Sequence, residues 1–226
     1  VNTFFKYILI SSAVTLFVTA FFLSCKKNKP ITITISGRIS DPNQNNKSIA
    51  DAVVSIYQKK LDNGSYNTNY KFITSTTTDA GGLFDLAFTK DNVIDYKIIV
   101  EKENYFLSET IYNPDKISTQ QNNILNYSIY PKSWIKVHFR SDNPFNSNDK
   151  LSFSYYENLL ETCTSCCTYG PKTLIGNDID TIIKCETWAY KTVSYQAFII
   201  KNGVSNIRNG TIYTPQGDTA MLDFYY

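Results

Sequence analysis

The chain has 226 residues, with 22 basic and 20 acidic side chains and a formal net charge of +2. Near-neutral charge argues against a nucleic-acid binder, which shows a clustered basic surface. One histidine and five cysteines narrow the enzymology further, because imidazole chemistry has a single residue to draw on.

The first element is an apolar run, Tyr7 to Leu23, preceded by a lone Lys6. Its length lies between a secretory h-region and a membrane helix, which needs about 20 apolar residues. The flanks therefore decide. Leu23-Ser24-Cys25 is followed at once by Lys26, Lys27 and Lys29. This resembles the lipobox of bacterial lipoproteins, although Phe22 stands where Leu is commonest; Cys-Lys-Lys after Ser looks like Bacteroidetes lipoproteins. The resemblance implies a signal peptide over 1–24, lipidation of Cys25, and a tether over 25–30. It also implies an outer-membrane lipid anchor, facing the periplasm or the cell surface. The alternative is a single-span anchor, whose three following lysines would hold the rest of the chain in the cytoplasm. Removing 1–24 leaves roughly 200 residues, enough for two domains of about 100 with their own cores.

From Ile31 the pattern changes to strict alternation, with Ile31, Ile33 and Ile35 separated by threonines. Period-2 alternation of β-branched residues predicts a half-buried strand. The signal recurs at Ala52-Val54-Ile56, Phe84-Leu86-Phe88 and Tyr96-Ile98-Val100, between turn markers Asp41-Pro42, Asn63-Gly64 and Gly81-Gly82. No window beyond the leader holds a 3.6-residue period, so short strands and turns predict an all-β sandwich.

Five pieces then follow one order: Gly37 to Asp41, Ala50 to Val54, Thr77 to Phe84, Tyr96 to Ile98, and Asn104-Tyr105. Together they resemble the carboxypeptidase regulatory-like domain, which implies a transthyretin-like seven-stranded sandwich over about Ile31 to Asn113. Its most specific piece is Thr77-Thr78-Asp79-x-x-Gly82-x-Phe84, in which Asp79 and the glycines suit a tight hairpin. Asp51 and Asn104 stand where that family usually has Gly, and both residue types tolerate turns. A Gln/Asn-rich loop at 118–123 precedes a closing strand, Ile124 to Tyr130, which ends a first domain over 31–130.

A second sandwich over 131–226 is expected from Trp134 to Phe139 onward. Its further strands are Leu151 to Tyr155, Thr181 to Trp188, Thr192 to Lys201, Gly210 to Thr214 and Ala220 to Tyr226. Asn202-Gly203 and Asn209-Gly210 read as hairpin turns. This half is similar to C-terminal modules of Bacteroidetes lipoproteins, a likeness that implies no activity.

Cys163, Cys166, Cys167 and Cys185 are disulfide candidates, as an oxidising compartment favours. Free thiols and a metal site are the alternatives. The preferred pairing joins Cys185 to the loop, with Cys163 taking the remaining neighbour. His138 lies mid-strand beside Lys136, where a solvated histidine is expected rather than a catalytic one. Asp142, Asn146, Asn148 and Asp149 form an oxygen-rich loop, a weak calcium candidate that also suits a plain turn. Asp180-Thr181-Ile182 and Asp218-Thr219-Ala220 resemble the Bacteroidetes O-glycosylation motif. Trp134, Trp188, Tyr155, Tyr156, Tyr190 and Tyr213 are candidate contact aromatics, with strand propensity as the competing explanation.

The sequence thus predicts a lipid-anchored protein without catalytic residues, cofactor or nucleic-acid partner. Its expected role is binding or assembly with another envelope protein. Glycan capture and service to a separate peptidase are the alternatives. Exposed Tyr and Trp clustered at one loop end would favour glycan; a flat apolar patch or open strand edge would favour protein.

Overall fold

The computed structural model describes residues 29–62, 65–66, 69–156, 166–167 and 170–226. Every regular element among them is a strand, apart from two single-turn 3-10 helices. No described helix is long and apolar enough to cross a membrane, and the run Tyr7 to Leu23 lies outside the described residues.

The first half is a sandwich. One sheet centres on β1 (Thr32–Asp41), paired antiparallel with β7 (Leu83–Thr89) and with the short β2 (Lys47–Ser48). The other runs in the order β6-β3-β8-β9: Lys71–Thr77, Val53–Lys59, Asp95–Glu101 and Ser108–Tyr112. A hairpin of β4 (Leu61–Asp62) and β5 (Ser65–Tyr66) stands apart from both. Alternation sets the burial as expected. Ile33, Ile35, Val54, Ile56, Phe84, Leu86, Phe88, Tyr96, Ile98 and Val100 form one core, whereas Ile31 is exposed before β1 begins. Each fully buried aliphatic contributes about 1.5–3 kcal/mol.

The Thr77–Phe84 segment owes its pattern to backbone satisfaction. Thr78 Oγ1 accepts from Ala52 N at 2.9 Å and donates to Ile49 O at 2.8 Å, pinning the 49–52 loop in the core. Asp79 Oδ1 accepts from both Gly81 N and Leu83 N at 2.8 Å, closing the turn. Gly82 has φ +72°, and a Cβ there would stand 2.6 Å from Ile39 O. Asp51 and Asn104 both take left-handed backbone, with φ 54° and 62°, at the two positions where glycine was expected.

The expected single closing strand is split in two: β10 (Asn123–Ile124) and β11 (Tyr127–Ser128), both parallel to β1. Between them the chain presses on β1. Leu125 N donates to Ser36 O at 2.8 Å, and Arg38 N donates to Asn126 Oδ1 at 2.9 Å. A side-chain oxygen replaces the missing ladder partner, and Gly37 leaves room for Leu125 O.

The second half begins at β12 (Lys132–Arg140), central in a three-stranded sheet β15-β12-β18. β15 spans Asp180–Trp188 and β18 spans Thr219–Tyr225. The facing sheet is β14-β13-β16-β17, from Lys172–Ile175, Lys150–Tyr155, Lys191–Lys201 and Val204–Thr214. Ile135, Val137, Phe139, Leu151, Phe153, Val193, Ala197, Ile199 and Phe224 fill the space between. Phe153 is the hub, contacting the rings of Phe139, Tyr155, Tyr195 and Phe224.

One sequence expectation fails here. Asn202-Gly203 is the tight hairpin turn, with φ 49° and 74°, but Asn209-Gly210 lies inside an uninterrupted eleven-residue strand. Gly210 is there for packing: its cross-strand partner is Tyr195, and a Cβ would stand 2.4 Å from Tyr195 Oη. The glycine makes room for the ring that stacks on Phe153, at 5.0 Å between centroids.

The two halves meet across specific contacts. Tyr130 stacks on Trp188, with centroids 4.6 Å apart and planes 10° from parallel. Asn43 Nδ2 donates to Ala189 O at 3.3 Å, and Gln216 Nε2 donates to Tyr105 Oη at 2.9 Å. Lys132 N donates to Asn104 O at 2.6 Å.

Candidate functional site

Cross-strand partners share a sheet face, so the registers of β13, β14, β16 and β17 specify the outer surface of the second sandwich. From one end its rows read Ile175, Lys150, Ile200, Ser205; then Thr173, Ser152, Phe198, Ile207; then Ser154, Gln196, Asn209. Thr192 and Tyr213 form a further row. Ile175, Ile207 and Tyr213 are more than half exposed, and Tyr156 is exposed beside them. The centre is a polar strip. Gln196 Nε2 donates to Tyr156 Oη at 2.7 Å and to Asn209 Oδ1 at 3.2 Å, while the hydroxyls of Ser152 and Thr173 lie 3.2 Å apart. Among the described residues of these rows Lys150 is the one charge, and the Ile175–Ile207 end is apolar.

The outer face of the opposite sheet is different in chemistry. His138 sits there between two carboxylates, with Nε2 2.6 Å from Asp180 Oδ1 and Nδ1 3.5 Å from Asp223 Oδ1. Tyr225 meets the imidazole edge-on at 5.8 Å. Lys184 lies over Trp134 at 5.3 Å, and Lys132 pairs with Glu186 at 3.5 Å. No described serine, threonine or cysteine is recorded within hydrogen-bonding distance of the imidazole, whose two ring nitrogens face carboxylates. The arrangement is a charge-paired, solvated face.

A cavity of about 440 Å³ opens between the two sheets beside Phe139, Phe153, Tyr155 and Ile183, with Lys172 and Lys184 also lining it. Its floor includes the disulfide between Cys167 and Cys185. Cys166 is also disulfide-bonded, and Cys163 lies outside the described residues, as does Cys25. Burial pushes the Tyr155 hydroxyl well above the ordinary tyrosine range, so it is a neutral wall group.

The oxygen-rich loop uses part of its oxygens in its own turns, while Asp149 Oδ1 is buried without a hydrogen-bond partner among the described residues. Asn146 Oδ1 accepts from Asn148 N at 2.8 Å, and Asp149 Oδ2 accepts from Phe145 N at 2.7 Å. Asp142 Oδ1 lies 3.4 Å from Arg140 Nε. Lys201 Nζ donates to Asn143 O at 2.8 Å and to Tyr226 O at 2.7 Å, placing a positive charge at the loop. Among the described residues no group of three or more His, Cys, Asp or Glu side chains is disposed to hold a metal ion.

The six aromatics singled out in the sequence do not come together. Tyr155 is core, and Trp188 belongs to the junction between halves. Tyr190 hydrogen-bonds Gln216, and Trp134 lies under Lys184. Only Tyr156 and Tyr213 are on the outer face of the β14-β13-β16-β17 sheet. Thr181 and Thr219 of the two Asp-Thr motifs are half-buried within paired strands. Sequence reasoning missed Ile175, Phe198 and Ile207, because β14 and the first half of β17 show no clean alternation.

No family model matches the chain, and no curated protein matches it. Among solved structures, the Bacillus anthracis TIE protein aligns over 87% of this chain and 34% of its own, at 11% identity and TM-score 0.38. A Streptococcal ancillary pilin aligns over 88% of this chain and 63% of its own, at 11% identity and TM-score 0.33. The 3-chlorocatechol 1,2-dioxygenase of Rhodococcus opacus aligns over 46% of this chain and 62% of its own, at 15% identity and TM-score 0.32. This chain therefore spans about a third of the first protein and under two thirds of the other two. These likenesses are weak and assign no role.

Proposed function

We propose that this is a non-catalytic envelope protein, held at the outer membrane through lipid on Cys25, which binds or assembles with another envelope protein. The observation that carries the reading is the outer face of the second sandwich, with Ile175, Ile207, Tyr156 and Tyr213 exposed around an uncharged polar strip. Exposed apolar side chains gathered on one sheet face are the kind of surface that a protein partner covers. A glycan site would call for Tyr and Trp converging at a loop end, and the six aromatics singled out in the sequence are dispersed instead; Tyr57, Tyr70 and Phe72 group apart from them around Lys59 and Lys97 on the first sandwich. Among the described residues both ring nitrogens of His138 face carboxylates and neither meets a serine, threonine or cysteine, which supports a non-catalytic reading.

Two experiments test this. In intact cells, a photo-crosslinking residue placed at Tyr213 gives an adduct with a second envelope protein, and the same residue at the charged Lys184 gives none. Failure to crosslink at Tyr213, Ile175 and Phe198 alike overturns the binding role. Cys25→Ala abolishes lipid-dependent processing and membrane attachment; unchanged attachment overturns the anchor.

A further inference from the structure

β17 is an edge strand of unusual length, and its outward row carries no charge, proline or bulge. It pairs with β16 on one side only. The two-residue turn at Asn202-Gly203 makes Lys201 and Val204 a hydrogen-bonded pair, and the pattern then alternates along the ladder. Val204, Asn206, Arg208, Gly210, Ile212 and Thr214 therefore bond to β16. Ser205, Ile207, Asn209, Thr211 and Tyr213 turn their N–H and C=O groups outward. None of these five has a second backbone partner among the described residues.

The other edges among the described residues are shorter or carry charge: β7 and β18 have seven residues each and hold Asp85 and Asp223. β14 has four residues and β9 five. β6 begins at Lys71 and lies opposite an irregularity between Ile56 and Tyr57. β15 carries Asp180, Lys184 and Glu186, and Cys166 bridges its edge at Glu186. β17 has no proline and no bulge; its one charge, Arg208, points inward, a placement that can itself guard an edge, and it is engaged by β18 while the outward row stays uncharged. There Arg208 Nη1 donates to Tyr225 O at 2.6 Å and its guanidinium lies 5.9 Å from the Phe224 ring centre.

The outward row is also complementary to itself. A two-fold axis through Asn209, the middle residue of the strand, pairs all five outward residues in an antiparallel ladder. Tyr213 then faces Ser205 of the second copy, Ile207 faces Thr211, and Asn209 faces Asn209. Large side chains meet small ones, the β-branched pair is a favourable cross-strand match, and no like charges oppose in the row. Two copies joined this way turn two four-stranded sheets into one of eight, with their Ile207–Phe198 patches on a continuous face.

We infer that β17 is a self-association edge, on which a second copy of this chain adds antiparallel about Asn209. This goes beyond the proposed function, because it needs no other protein.

The test uses the purified full chain in detergent, with molar mass followed by light scattering across the micromolar range. The expected result is a reversible monomer–dimer equilibrium. Ile207→Lys places an edge charge in the ladder and weakens the dimer at least about tenfold. Thr192→Lys, on the same face but one strand inward, changes it less than about twofold. Circular dichroism confirms that both variants keep the parent strand content. In the hydrogen-bonded pair Cα atoms lie about 5.5 Å apart, within disulfide reach. Asn209→Cys therefore yields a covalent dimer on oxidation, while Ser205→Cys alone does not, since its partner is Tyr213. A chain that stays monomeric throughout, or a dimer indifferent to Ile207→Lys, overturns the inference. A monomer that still crosslinks to another protein in cells refutes self-association while leaving the proposed function standing.

Discussion

Gly37→Ala probes the contact that closes the first sandwich. A Cβ at this position would lie 1.8 Å from Leu125 O, 2.7 Å from Leu125 C and 2.9 Å from Phe84 Cε1. The nearest two atoms are backbone, so no rotamer change relieves the clash; the backbone at Leu125-Asn126 must move off β1. Two hydrogen bonds go with it, Leu125 N to Ser36 O and Arg38 N to Asn126 Oδ1. At about 1 kcal/mol each, they add to an overpacking cost of about 1–3 kcal/mol. The expected destabilisation is about 3–5 kcal/mol, or a fall in Tm of roughly 6–20 °C for a chain of this size. Urea unfolding followed by far-ultraviolet circular dichroism measures it, with Gly81→Ala as the control. A Cβ at Gly81 meets only Asp79 Oδ1 at 3.2 Å and the Leu83 side chain beyond 3.5 Å. If Gly37→Ala matched the parent within about 0.5 kcal/mol, the segment would not be packed on β1 as described.

Removing the Cys167–Cys185 bridge with two serine substitutions opens a crosslink across a sequence separation of 18. Loop entropy alone predicts a loss of about 3 kcal/mol, read as a lower denaturant midpoint; an unchanged midpoint refutes it. Alkaline stability depends on buried tyrosines. Burial, reinforced by the Tyr112 hydrogen bond, raises the Tyr127 hydroxyl, and burial likewise raises Tyr96, Tyr105, Tyr155 and Tyr226. Above pH 10.0, the ordinary tyrosine value, the unfolded chain releases protons that the folded chain keeps, so stability falls as pH rises. Absorbance at the phenolate band should rise for these five only as the protein unfolds; earlier ionisation of all tyrosines together refutes this. Tyr130→Ala removes the stack on Trp188 and is expected to cost about 1–2 kcal/mol at the junction. Calorimetry then resolves two transitions in place of coupled unfolding, and a single unchanged transition shows that the stack does not couple the halves.

The parts of the fold legible in the sequence are those set by local rules. Period-2 alternation marked β1, β3, β7, β8 and β12, because a strand with one buried face must repeat every second residue. Side-chain capping and turn chemistry were equally local. Asp79 closes its own turn, and Asp51 and Asn104 take the left-handed backbone that short polar side chains tolerate.

What stayed hidden depends on residues far apart in the chain. Asn209-Gly210 has the composition of a turn, yet Tyr195 on the neighbouring strand decides that it is a packing gap. The split between β10 and β11 arises where Leu125 meets Gly37, far away in sequence. Which of the six aromatics face solvent was settled only by sheet pairing, which buried Tyr155, spent Trp188 on the junction and left Tyr213 exposed. The same holds for the candidate site. Hydrophobic alternation fixes which residues of a strand share a face, but only the tertiary partners determine which face, and which edge, is left uncovered. The sequence alone therefore determined an all-β chain with near-neutral charge and one histidine. Tertiary structure decided that His138 lies between two aspartates and that β17 is a long edge strand.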